Sequence, residues 1–97
     1  MGDAVGMLEV FGLATAFAAA DAGCKAGNVW LEKFDKNKPA NADKLPVPLL
    51  VTIKFRGDVA AVEAAIERAQ KAVEPRGMYL DSSVIARPDK KLIEQIL

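Results

Sequence analysis

From Leu49 to Arg56 the chain alternates without a break. Leu49, Val51, Ile53 and Phe55 fall on one side, and Leu50, Thr52, Lys54 and Arg56 on the other. That period of two predicts a strand with one face on a core. Beyond Gly57-Asp58 the period lengthens. Val59, Val62, Ile66, Ala69 and Val73 fall at i, i+3, i+7, i+10 and i+14, with Glu63, Glu67, Arg68 and Lys71 on the wet side. This predicts an amphipathic helix. Asp58 is placed to cap its start, and Glu74-Pro75-Arg76-Gly77 ends it.

An earlier stretch has the same grammar. Residues 4–11 read as a strand that stops at Gly12, and a helix follows over roughly 14–26. Leu13, Phe17, Ala20 and Cys24 fall on one face of that helix, which the spacing assigns to the core, with Cys24 as a small core residue. Lys25 in its last turn suits the helix dipole, and Gly27-Asn28 stops it. A second strand is expected over 28–34, with Trp30 in the core or at a subunit contact. Residues 78–86 read as a fourth strand, stopped by Arg87-Pro88. Asp89 then caps a short helix with Leu92, Ile93, Ile96 and Leu97 on its apolar side.

The order β-α-β-β-α-β plus a terminal helix predicts an α+β fold. It is the split, ferredoxin-like arrangement: a four-stranded antiparallel sheet with two helices on one face. Met7 and Leu50 would lie on the other face, where a subunit partner can cover them. Between the second and third strands lies Asp35–Pro48 (DKNKPANADKLPVP), with three Pro, two Asn and no helical or strand period. It is long for a hairpin connection, and such loops are disproportionately functional.

Composition sets the remaining bounds. Ninety-seven residues are read as one domain spanning 1–97. Much of the 52% apolar content is Ala, which fills little volume, so assembly is a natural way to bury more surface. Thirteen basic and thirteen acidic residues cancel, leaving no footprint for nucleic acid. The longest apolar run, in 11–24, is broken by Asp21 and too short to span a bilayer. No secretory signal is evident, and a lone Cys fits a reducing compartment, so a cytoplasmic protein is expected. Without His there is no His triad or His metal site, and no cofactor is expected. Glu9 and Asp21 do not read as a catalytic carboxylate pair. Arg56-Gly57-Asp58 reads as strand end, turn and cap.

Three blocks carry a family resemblance: GMLEVFGLATAFAAADAGCKAGNV (6–29), FRGDVAAVEAA (55–65) and SSVIARPDKKLIEQIL (82–97). In order and spacing they resemble a single-domain bacterial microcompartment shell protein. The resemblance implies a structural protein, not an enzyme. Flat homohexamers would tile with one another and with other shell proteins around encapsulated enzymes, and a six-fold pore would pass small metabolites. It also implies that Lys25, at the helix end, with Asn28 beside it and Arg87 of the closing Arg-Pro pair, lies along hexamer–hexamer edges. A Lys stem along such an edge, its ammonium on neighbouring carbonyls, gives a directional contact.

The resemblance places the pore in the connection between the second and third strands, usually a short Gly-rich turn. Here that connection is longer and lacks Gly. Lys36, Asn37, Lys38, Lys44, Pro46, Val47 and Pro48 are its candidate pore-region residues. It has no Cys to hold an iron–sulfur cluster. From Lys33 to Lys44 there are four Lys and two Asp, so six copies would focus positive charge on the axis. That favours small polar or anionic metabolites. The fold admits two other readings. One is a trimeric small-molecule-sensing signalling protein with a long loop after the second strand. The other is an acylphosphatase-type hydrolase, whose phosphate-cradling loop is not evident here. Subunit number separates shell from sensor.

Overall fold

The computed structural model describes residues 4–37 and 49–96. In chain order the elements are β1 (Ala4–Phe11), α1 (Leu13–Ala26), β2 (Val29–Asn37), β3 (Leu50–Gly57), α2 (Val59–Val73), β4 (Tyr79–Ile85) and α3 (Lys90–Ile96). The four strands form one sheet in the order β2-β3-β1-β4. Every neighbouring pair is antiparallel, as expected for the split arrangement. Each βαβ crossover therefore skips one strand, which leaves β2 and β4 as the two edges.

Register assigns the faces. Gly6, Leu8 and Val10 of β1 lie opposite Phe55, Ile53 and Val51 of β3. Leu8, Val10, Val51, Ile53 and Phe55 are fully buried, together with Val62, Ala65, Ala69 and Val73 of α2. A Cβ on Gly6 would come within 2.6 Å of Val62 Cγ1, so this is the helix-covered face. The alternation read in 49–56 is thus real. Burying a ring such as Phe55 contributes about 1.5–3 kcal/mol.

The face assigned to α1 is corrected. Its buried residues are Ala16, Ala19, Ala20 and Gly23, spaced i, i+3, i+4 and i+7. Leu13 is 37% exposed and Phe17 59% exposed, and Cys24 is exposed rather than part of the core. The cause is close packing. A Cβ on Gly23 would lie 2.6 Å from the Phe55 ring, and one on Gly27 would lie 2.5 Å from the Ala61 carbonyl oxygen of α2. A helix this near its neighbours turns its smallest residues inward. The larger ones sit on the flank, where Phe17 meets Phe34 of β2 at 5.3 Å between ring centroids. Val59, expected on the α2 core face, is likewise 38% exposed.

Turn residues do local work. Gly12, at φ 90, leads into α1, and its amide donates to the Leu49 carbonyl while Phe11 N donates to Met78 O. Asp58 stands at the α2 N-cap without a side-chain bond. Gly77, at φ 70, closes the short 3-10 turn 74–76 that follows α2. Asp89 caps α3 by accepting from Lys91 N.

Candidate functional site

The strand registers put the two groups of candidate residues at opposite ends of the sheet. Ala4 of β1 pairs with Gly57, and Gly57 pairs with Val29. The end of α1 and the start of β2, with Lys25 and Asn28, therefore share one end with the start of β1. Val5 pairs with Ile85, so Arg87 leaves β4 at the same end. Asn28 stands by the β2 edge and Arg87 by the β4 edge, separated by about three strand spacings, or roughly 14 Å. At the far end Phe11 pairs with Leu50, and Leu50 with Asn37. The connection between β2 and β3 leaves from there, about 25 Å away along an eight-residue strand.

At the first end, Lys25 is exposed, with its ammonium 2.8 Å from Asp21 Oδ2 one helical turn back. The hydrogen bond to Asp21 raises its pKa, so it stays charged. Asn28 and Arg87 are exposed. Arg87 makes no ion pair with Asp89 or Glu94 among the described residues. Cys24 beside Lys25 has its thiol pKa raised by partial desolvation and by the charge of Asp21. A shallow depression of about 310 Å³ runs along Asp21, Ala22, Lys25, Ala26 and Arg68.

At the other end, the expected loop is shorter than residues 35–48. Asp35, Lys36 and Asn37 belong to β2, opposite Thr52, Val51 and Leu50. A polar Asp-Lys-Asn run has no strand signature by itself; pairing with β3 holds it in the sheet. Lys38, Lys44, Pro46, Val47 and Pro48 lie outside the described residues.

Between the two ends lies a cluster that the sequence did not single out. Lys54 is buried on the face away from the helices, where its ammonium bonds Asp35. Lys33 Nζ stands 3.5 Å from the other Asp35 oxygen. A register shift between Leu31 and Lys33 sets Lys33 directly opposite Lys54, so one carboxylate bridges two opposed cations. The hydrogen bond from Lys54 holds the Asp35 carboxyl below its ordinary pKa. Next along this face, Arg56 lies over the Trp30 ring at 5.9 Å, and Trp30 Nε1 donates to Glu32 Oε2 at 2.9 Å. Trp30 is 43% exposed, so it is not a core residue. The lysine at position 54 in a strand of alternating character was the only available signal.

Among the described residues no three His, Cys, Asp or Glu side chains group to hold a metal. None of their helices is long and apolar enough to cross a membrane.

The family model described as "BMC domain" matches residues 4–88. The chain is 38% identical over 95 residues to the bacterial microcompartment shell protein PduA of Salmonella typhimurium, covering 98% of this chain and 90% of that protein. It is 34% identical over 94 residues to the carboxysome shell protein CcmK1 of Thermosynechococcus vestitus, covering 95% and 75%. A solved microcompartment protein from Desulfitobacterium hafniense superimposes with a TM-score of 0.80 at 28% identity; the match covers 97% of this chain and 48% of that one.

Proposed function

This chain belongs to the bacterial microcompartment shell-protein family, and from that premise we propose that it is a cyclic hexamer tiling shell facets around a six-fold pore. Family membership makes it a shell subunit in the bacterial cytoplasm. Family membership also favours this reading over the sensor and acylphosphatase readings of the same fold.

One observation carries the proposal: the opposed placement of Lys25, Asn28 and Arg87 at one end of the sheet and the β2–β3 connection at the other. A radial subunit in a ring needs that polarity. One end meets the next ring and the other lines the axis. Many weak edge contacts then become a lattice by multivalency. Lys25 in its exposed pair with Asp21 is available to exchange that partner for carbonyls of a facing ring. The residues at the axial end, with their excess of lysine over aspartate, favour small anionic metabolites.

Native mass spectrometry of the purified chain tests the ring, with six subunits expected. Electron microscopy tests the tiling: extended sheets from the parent chain, and separate rings from Lys25→Asp. A trimer or monomer at high concentration contradicts the proposal. Bilayer conductance tests selectivity, and equal passage of anions and cations before and after Lys36→Ala removes the charge argument.

A further inference from the structure

The sheet face away from the helices is divided by charge. On β2 and β3 it carries Lys33, Lys54 and Arg56 against Asp35, with Glu32 reaching the same side through Trp30. On β1 and β4 it carries Glu9 and Asp81, directly opposite one another. Like charges opposed across a strand pair are destabilising. Glu9 and Asp81 make no ion pair among the described residues. The cationic half ends at one edge of the sheet, β2, and the anionic half at the other, β4. Each edge also exposes large apolar side chains, Trp30 and Leu31 on β2 and Leu80 on β4, the last 49% exposed at a bulge.

We infer that the β2 edge of one subunit docks on the β4 edge of a second copy, so that Lys33 meets Asp81 and Trp30–Leu31 cover Leu80. This rests on the proposed ring and names the surfaces that close it. Two different patches on one chain, complementary in charge and both partly apolar, make a head-to-tail contact, which is the kind that generates rings. Through the registers Lys33 lies level with Met7 and Leu31 with Gly6, whereas Asp81 lies level with Glu9 and Leu80 just beyond it, so a slide of about three residues, or roughly 10 Å, along the facing edges brings both contacts together. Arg56 marks the same edge: its Nε is buried without a hydrogen-bond partner among the described residues, while its guanidinium lies over an exposed Trp. Trp and Arg are the side chains that most often anchor interfaces.

Charge exchange tests the pairing. Lys33→Glu and Asp81→Lys alone are each expected to raise the concentration for half-assembly about tenfold or more, since facing like charges oppose association strongly. The double variant restores the charge pair and is expected to regain most of the loss. Glu63→Lys, on the exposed face of α2, is the control and assembles as the parent does. Because Lys33→Glu sets a second carboxylate beside Asp35, circular dichroism confirms that each variant is folded. Leu80→Asp, at an exposed position, provides an independent disruption and is expected to leave folded monomers. Sedimentation velocity reads all five. If the parent chain assembles but the single reversals assemble equally well, or the folded double variant recovers nothing, the edge pairing is overturned and the ring stands. If the parent chain remains monomeric, the ring itself fails.

Discussion

Gly27 is where the packing makes its sharpest demand. An added methyl there would lie 2.5 Å from the Ala61 carbonyl oxygen and 3.2 Å from its carbon. Ordinary contact begins near 3.4 Å, so α1 and α2 must separate by close to an ångström. Both groups belong to backbone or are fixed to it, and no flexible side chain can give way. Overpacking of this kind costs about 1–3 kcal/mol. Gly27 is extended at φ −142 and lies beyond the last helical residue, so no gain in helix propensity offsets that cost. For a domain of this size each kcal/mol lowers the Tm by about 4–8 °C, which places Gly27→Ala about 4–24 °C below the parent. Gly77 is the contrasting case, at φ 70 with nothing within 4 Å of its absent Cβ. There the cost is conformational, about 1–2 kcal/mol for Ala, and Asn recovers part of it because it tolerates the left-handed region. At Gly27 Asn is no better than Ala. Thermal melts at one fixed protein concentration, which keeps assembly from shifting the Tm, decide the matter. A Gly27→Ala protein as stable as the parent, or rescue by Asn at 27, would refute the steric account.

Phe55, buried against Gly23, loses about 3–5 kcal/mol on Phe55→Ala, read from urea titrations of the folded chain. Asp35 contributes stability above its ordinary pKa of 3.8, and because its folded pKa is lower, that contribution disappears as the pH falls below 3.8. Asp35→Asn should therefore flatten the acid limb of a stability–pH profile and be least destabilising at its acid end. Cys24 is exposed with a raised thiol pKa. It should react with a disulfide reagent in the folded state, more slowly than a free thiol at neutral pH, and Asp21→Asn should accelerate it. Lys25→Ala removes an exposed pair with Asp21 and should leave the Tm unchanged while abolishing sheets under the microscope.

Legibility in the sequence followed contrast between neighbouring side chains. Residues 49–56 alternate bulky apolar with polar groups, and their faces were plain. In α1 eight of fourteen positions are Ala or Gly, so the few bulky residues dominated the pattern. Leu13 and Phe17 mark its flank, whereas Ala16, Ala19, Ala20 and Gly23 are buried. Closeness of packing, which chooses the smallest side, is a property of the neighbours and not of the helix. Asp35 failed for a related reason. Asp-Lys-Asn reads as loop until β3 supplies a ladder and Lys54 an ion partner. The Lys33–Asp35–Lys54 cluster depends on a register shift near Glu32, which leaves no mark in composition or period. Lys25, Asn28 and Arg87 were singled out through motif alone; their common end of the sheet emerges only from strand order.

The central claim is the radial direction of the subunit, with the Lys25–Arg87 end outward and the β2–β3 connection toward the axis. Cryo-electron microscopy of assembled sheets tests it most directly. A six-fold lattice is expected in which maleimide-gold on Cys24, beside Lys25, decorates the boundaries between rings. Label clustered on the symmetry axes, or a lattice of three-fold units, would contradict the account.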